Sequence, residues 1–167
     1  MEFFEVVSKR FSSRAYMDQP VEKEKLDRIL EAARLAPTAC NRQPFKIVVV
    51  KTIDKQEALS ECFHSKFIYQ APLIIGIFAK IDESWVRGDG HNFYDVDAAI
   101  VFDHLILAAA VQGLGTCWIG SYKPEKIKEF FGLAKEYEPV AFTPLGYSSD
   151  VKTDKGRKAI EDLVAYF

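Results

Sequence analysis

What this chain has little of narrows its class. It carries three cysteines in 167 residues, Cys40, Cys62 and Cys117, far apart and without a C-x-x-C pair. That excludes a disulfide scaffold and a thiolate metal cluster, and it fits reduced thiols in a cytoplasmic protein. The three histidines are scattered and give no metal-ligand spacing. Neither sign of charge dominates, with 22 Lys and Arg against 24 Asp and Glu. No like-charge block is long enough to read as a nucleic-acid surface. The most apolar stretch, residues 98–111, is broken by Asp103 and His104 and is too short to span a bilayer. Residues 1–20 lack the basic start, apolar middle and small-residue cleavage site of a signal peptide. No serine lies in a G-x-S-x-G and no histidine sits in a nucleophile setting, so no hydrolytic triad is visible. Internal repeats and low-complexity linkers are also missing, so residues 1–167 are expected to form one domain.

What is present is apolar and patterned. Hydrophobic residues make up 49% of the chain and thirteen residues are Phe, enough to exclude disorder and to build a sizeable core. Residues 2–9 read as a short helix with Phe3, Phe4, Val6 and Val7 on its apolar side. In residues 22–35, Leu26, Ile29, Leu30 and Ala33 follow helical spacing, and Pro37 lies just beyond as a stop. Strands are expected over 45–51, 72–79, 116–120 and 140–147. Asp54 followed by Glu57 resembles a capping box opening a helix to about Phe63. Residues 124–131 read as a short helix with an early proline and Gly132 as its cap, and residues 158–166 as a last one.

Residues 93–112 form the strongest pattern, a long helix ending at Gly113 that is apolar almost all round. Such a helix is buried on most sides. The pattern leaves open whether this chain's own core covers it or a second subunit does. His104 on it is expected to be buried and hydrogen-bonded. Asp95 and Asp97 near its start suit the helix dipole.

Three segments could carry chemistry. The run from Ala36 to Val50, APTACNRQPFKIVVV, places the neutral amides of Asn41 and Gln43 in a proline-bounded loop ahead of a strand. Amides of this kind suit a polyol or the polar edge of a heterocycle. RFSSR at 10–14 and KGR at 155–157 are compact sets of cations beside small or hydroxyl residues. Arginine there suits bidentate recognition of phosphate, although either cluster taken alone reads more readily as solvated surface, the commoner fate of Arg and Lys. Ser12 and Ser13 could add hydroxyl donors. GLGTCW at 113–118 follows a helix and opens a strand, the reverse of the dinucleotide-binding order, so Gly113 reads as a helix cap and Gly115 as a turn residue. A polar loop without acid–base machinery points to a cofactor that carries the chemistry itself.

Taken in order, RFSSR at 10–14, APTACNRQPF at 36–45, DAAI at 97–100 running on to GLGTCWIG at 113–120, and LGY at 145–147 followed by KGR resemble the FMN-dependent nitroreductase family. The resemblance implies an α+β fold: a central, mostly antiparallel sheet flanked by helices, with the long buried helix at a homodimer interface. It implies FMN held non-covalently between the subunits. Arg10 and Ser12 match the positions that serve the flavin phosphate, and Arg14 the one that reaches the pyrimidine edge. Pro37, Thr38 and Ala39 match the loop along the flavin, and Asn41 and Gln43 the amides at the ribityl chain and ring. Ile119 and Gly120 match a segment near the ring, in backbone contact. Lys155 and Arg157 match the C-terminal phosphate clamp.

The implied activity is a ping-pong NAD(P)H oxidoreductase. It would pass hydride through flavin N5 to a nitroaromatic, quinone or similar small-molecule acceptor, with no catalytic side chain or metal. Residues 62–69 and 85–94, the latter with Arg87, could wall the pocket. Phe11 stands where the family often has a second basic residue, Thr38-Ala39-Cys40 replaces a more serine-rich loop, and Phe45 replaces a frequent Trp. A flavin-binding or storage protein without turnover, and another reductase activity on the same scaffold (flavin, enone or dehalogenating), remain alternatives.

Overall fold

A strand without polar alternation must be covered on both faces, and LIIGIFAK at 73–80 is such a strand. The computed structural model describes residues 2–152 and 155–167. Its helices are α1 (Phe3–Lys9), α2 (Lys23–Arg34), α3 (Gln56–Cys62), α4 (Lys66–Gln70), α5 (Tyr94–Val111) and α6 (Pro124–Phe131). Its strands are β1 (Phe45–Lys51), β2 (Leu73–Lys80), β3 (Gly115–Thr116) and β4 (Tyr137–Gly146). The sheet runs β1-β2-β4-β3 and is antiparallel throughout. All of β2 except Lys80 is buried.

The two sides of β2 divide the core. Leu73, Ile75 and Ile77 join Ile29 and Ala33 of α2 and the inner face of α5. Ile74 and Phe78 point the other way, to Leu59 and Cys62 of α3, Ile68 of α4 and Ile127 of α6. The result is an α+β arrangement with an antiparallel sheet between helices, as the resemblance implied. On α5, Ala98, Val101, Phe102, Leu105, Ile106 and Ala109 are buried, while Val96 and Val111 remain 37% and 46% exposed. No helix among the described residues is long and apolar enough to cross a membrane.

Several expectations need correction. The third strand is two residues long, because the Cys117 N–H donates to Thr143 Oγ1 (3.0 Å) and not to a strand carbonyl. Pairing resumes only at Ile119 and Phe142. The last helix reduces to a 3-10 turn, Ile160–Asp162, with Ile160 and Leu163 about two-thirds exposed and little covered by the other described residues. The capping box does not form: Asp54 is in left-handed backbone (φ 60°), and α3 starts behind Lys55 with no side-chain cap. His104 is hydrogen-bonded but exposed; its Nδ1 lies 2.9 Å from the Ile100 carbonyl one turn back. The single turn α4 was not foreseen.

Gly76 shows how tightly the sheet is covered. A Cβ there would sit 2.6 Å from Cδ1 of Phe142. That ring is itself held edge-on by Phe63, Phe78 and Tyr122 at 5.3, 5.7 and 5.0 Å. Gly76→Ala is therefore expected to destabilise the fold by about 1–3 kcal/mol through overpacking, read as a lowered urea midpoint.

Candidate functional site

The N-terminal motif is stitched to the far edge of the sheet. After α1 the chain passes β3, where Ser12 pairs with Thr116 and the Ser13 N–H donates to the Thr116 carbonyl (2.8 Å). Ser13 is fully buried, and its Oγ lies 2.7 Å from Oγ of Ser148, so this hydroxyl is structural and not a ligand donor. The Tyr16 hydroxyl donates to the Ser13 carbonyl, and the Arg14 N–H to Oδ2 of Asp150 at 2.9 Å. Gly115 is not a turn residue. It lies in β3 beneath this crossing, where a Cβ would be 3.0 Å from the Cβ atoms of Ser13 and Ser148.

The C-terminal motif returns to the same place. Lys155 Nζ donates to the Val7 and Ser8 carbonyls at the end of α1 (3.2 and 3.1 Å), and Lys152 Nζ joins it on Ser8. A cationic side chain suits the unsatisfied carbonyls of a helix end. Arg157 Nη1 is braced by the carbonyls of Lys155 and Gly156, both at 2.8 Å. Arg10, Phe11, Ser12, Arg14, Lys155 and Arg157 line one cleft of about 230 Å³. No carboxylate lines it among the described residues. Partial burial, then the charges of Arg10, Lys152 and Arg157, hold the Lys155 ammonium below the ordinary lysine range. Like charges held together in this way raise the local positive potential.

The amide loop is a separate construction. Residues 39–41 make a 3-10 turn, and Cys40, Asn41 and Gln43 all have left-handed backbone, with φ of 51°, 52° and 53°. Each costs about 1–2 kcal/mol against right-handed backbone, Asn least. Local bonds hold the curl: the Gln43 N–H donates to Thr38 Oγ1 (3.0 Å), and Gln43 Nε2 to the Asn41 carbonyl (3.1 Å) and Oδ1 (3.2 Å). Arg42 reaches the Ser84 carbonyl (3.0 Å), and the Ala39 N–H donates to Oδ1 of Asp97 (2.8 Å). Pro37, Asn41 and Gln43 are exposed; Thr38 and Ala39 are half-buried.

Asp97 does more than suit the helix dipole. It is 1% exposed and ties this loop to α5. The signal was its helical spacing, four residues before buried Val101, which places a carboxylate on the apolar face.

Within one chain the two sets do not meet. The amide loop adjoins Asp97 at the start of α5. The cationic cleft adjoins a recess lined by Arg10, Ala110, Gly113 and Thr116 at the other end of that helix. Asp97 and Ala110 are about 20 Å apart along the axis at 1.5 Å per residue. Ile119 faces neither site with its side chain, which is buried with Cys117 and Phe142; Gly120 is exposed beside it. The Trp85-to-Phe93 segment folds on itself, with Trp85 and His91 edge-on to Phe93 at 4.8 and 5.3 Å. Burial raises the thiol pKa of Cys62 and Cys117, which disfavours the thiolate at both.

An antiparallel sheet around a buried helix, a cationic cleft made by both chain ends and a curled amide loop together define a known class. The model of the nitroreductase family matches residues 7–71 and 54–147, and the chain belongs to that family. A nitroreductase family protein of Clostridium difficile 630 superposes with a TM-score of 0.91 at 37% identity, covering 99% of this chain and 98% of that one. An FMN-dependent nitroreductase of Clostridium difficile R20291 gives 0.84 at 30% identity, covering 99% and 98%. The FMN reductase [NAD(P)H] of Bacillus subtilis strain 168 is 29% identical over 163 residues, covering 87% of this chain and 66% of the relative.

The Ser13–Ser148 contact allows a direct test of the stitching. Each hydroxyl also has a bond of its own, Ser13 Oγ to the Ala15 carbonyl and the Asp150 N–H to Ser148 Oγ (both 3.1 Å), so either single loss removes the shared bond and one other, while the double loss removes the shared bond only once. Ser13→Ala and Ser148→Ala are each expected to cost about 1–2 kcal/mol, and the double variant less than their sum, by denaturant unfolding in a double-mutant cycle.

Proposed function

We propose that the protein is an FMN-dependent NAD(P)H oxidoreductase that works as a homodimer. The observation that carries this reading is the cleft where Arg10, Arg14, Lys155 and Arg157 gather with no carboxylate among the described lining residues. A terminal phosphate dianion supplies the countercharge this cluster lacks, and FMN ends in one. Arg10, Ser12, Lys155 and Arg157 would hold the phosphate. Asn41 and Gln43 offer uncharged donors and acceptors to the ribityl chain and ring, alongside Pro37, Thr38 and Ala39, with the backbone at Ile119 and Gly120 near the ring. Arg14 would stand at the pyrimidine edge, where a fixed cation stabilises the charge that reduction leaves there. When bound, the flavin supplies two-electron carriage between NAD(P)H and an acceptor such as a nitroaromatic or a quinone.

The separation of the two residue sets along α5 supports a shared site. A second copy related by a two-fold axis across α5 would bring its amide loop to this chain's cationic cleft. The exposed Phe3, Phe4, Leu163 and Tyr166, together with Val96 and Val111 on α5, supply apolar surface for that contact. NAD(P)H donors and FMN recur in the names of relatives of this chain.

Purified protein is expected to be yellow with about one FMN per chain, and its flavin to bleach when mixed anaerobically with NAD(P)H. Colourless protein that also refuses added FMN would overturn the reading; loaded protein that does not bleach would leave a storage role. Arg157→Ala should weaken FMN roughly ten- to a hundredfold, from a charge-assisted bond worth ~1.5–3 kcal/mol, with turnover at full occupancy unchanged. Asn41→Ala should alter flavin reactivity as well as affinity.

Charges at the exposed valines of α5 test the dimer. Val96→Glu and Val111→Lys suit the helix dipole, so the isolated fold should tolerate them. Both are expected to lower dimer content in sedimentation and FMN occupancy together; a stable, flavin-loaded wild-type monomer at micromolar concentration would refute the shared site.

A further inference from the structure

We propose that Asp97 is a positioning residue of the amide loop: from α5 it caps the 39–41 turn through the Ala39 N–H and so holds Asn41 and Gln43 in the backbone that presents their side chains. The role rests on the FMN reading above. Ala39 opens the turn, and its N–H is one of the groups a turn of this kind leaves without an internal partner. Thr38, the residue ahead of it, provides no cap because its hydroxyl accepts the Gln43 N–H. The partner comes instead from a side chain 58 positions away, Oδ1 of Asp97 at 2.8 Å.

Two features separate this contact from an ordinary dipole interaction. Asp95, a residue of the same helix turn, is exposed and bonds to the adjacent Val96 N–H. Asp97 is 1% exposed and lies on the face that carries Ala98 and Val101. Moreover, the left-handed residues that follow Ala39 persist only if the surroundings over-determine them. The bonds inside the curl link loop to loop. Among the described residues, the hydrogen-bonded links from loop to body are Asp97 to Ala39, Arg42 to the Glu83 and Ser84 carbonyls, and the Lys80 N–H to the Pro44 carbonyl. Of these, the first alone reaches the head of the turn.

The other carboxylate oxygen defines what the role requires. Oδ2 is buried and has no hydrogen-bond partner among the described residues. Capping needs a single acceptor, so an asparagine whose amide oxygen replaces Oδ1 gives up no existing bond. Asp97→Asn should therefore hold the loop, and Asp97→Ala should release it.

Hydrogen exchange of residues 36–44 in FMN-free protein reads the tether without reference to flavin. FMN affinity and the visible circular dichroism of bound flavin read its consequence. Asp97→Ala is expected to speed exchange in that segment, weaken FMN about tenfold and change the flavin spectrum. Asp97→Asn is expected to restore all three. Unchanged exchange and affinity in Asp97→Ala, or an Asp97→Asn as impaired as Asp97→Ala, would overturn the proposal. If Asp97→Ala does not fold, Ala39→Pro deletes the bond from the donor side, since Thr38 is extended (φ −132°, ψ 160°) and proline suits the first position of a helical turn. Residues 40–43 must then exchange faster, and unchanged exchange there would overturn the tether. If the wild type binds no FMN, the functional reading falls while the exchange measurement still decides the tether.

Discussion

A long helix with almost no polar side cannot stand against water, and the molecule is arranged around that constraint. Helix α5 is covered by α2 and by one face of the sheet, and β2, apolar in every residue but its last, is then covered on its second face by α3, α4 and α6. This fixes more than the core. The amide loop is anchored at the first turn of α5 and the cationic cleft lies beside its last turn. The helix therefore acts as a spacer whose length sets the distance between the amide loop and the cationic cleft, and neither can drift without disturbing packing close to the density of an organic crystal.

Much of this was legible because apolar residues repeat with the period of the element they form. The 3.6-residue spacing of Leu26, Ile29, Leu30 and Ala33 and the unbroken apolar run of β2 correspond to real elements with ends within a few residues. The failures have local causes. Helix α4 is one turn and too short to show a period. The Cys117 N–H chose the Thr143 hydroxyl over a strand carbonyl, an alternative that β propensity does not register. Asp54 took left-handed backbone, which a capping pattern cannot anticipate. Residues 158–166 have helical apolar spacing, but the described residues leave Ile160 and Leu163 exposed, and a 3-10 turn is what forms.

The site divided in the same way. Arginine, lysine and serine near both termini could be read as two unrelated clusters until the order of the motifs joined them, and the fold does place Arg10, Ser12, Arg14, Lys155 and Arg157 around one cleft. The resemblance assigned Ser12 of the Ser12-Ser13 pair to the phosphate end, and Ser12 lines the cleft; the residue types alone did not separate the two, since the burial of Ser13 involves Ser148, 135 residues away. The same holds for Asp97, whose partner is a backbone N–H and leaves no trace in the sequence of the loop it holds.

The cationic cleft joins residues near both ends of the chain: Lys155 bonds to Ser8, 147 positions earlier. Closing a loop of that length carries an entropic cost, set against the hydrogen bonds that Lys155 makes at the end of α1. The residues that pack the sheet against α5 lie between Val21 and Tyr147, so the 155–157 segment adds nothing to that core. A local opening of residues 155–157 would therefore disperse the positive charge of the cleft while the sheet and α5 stay packed.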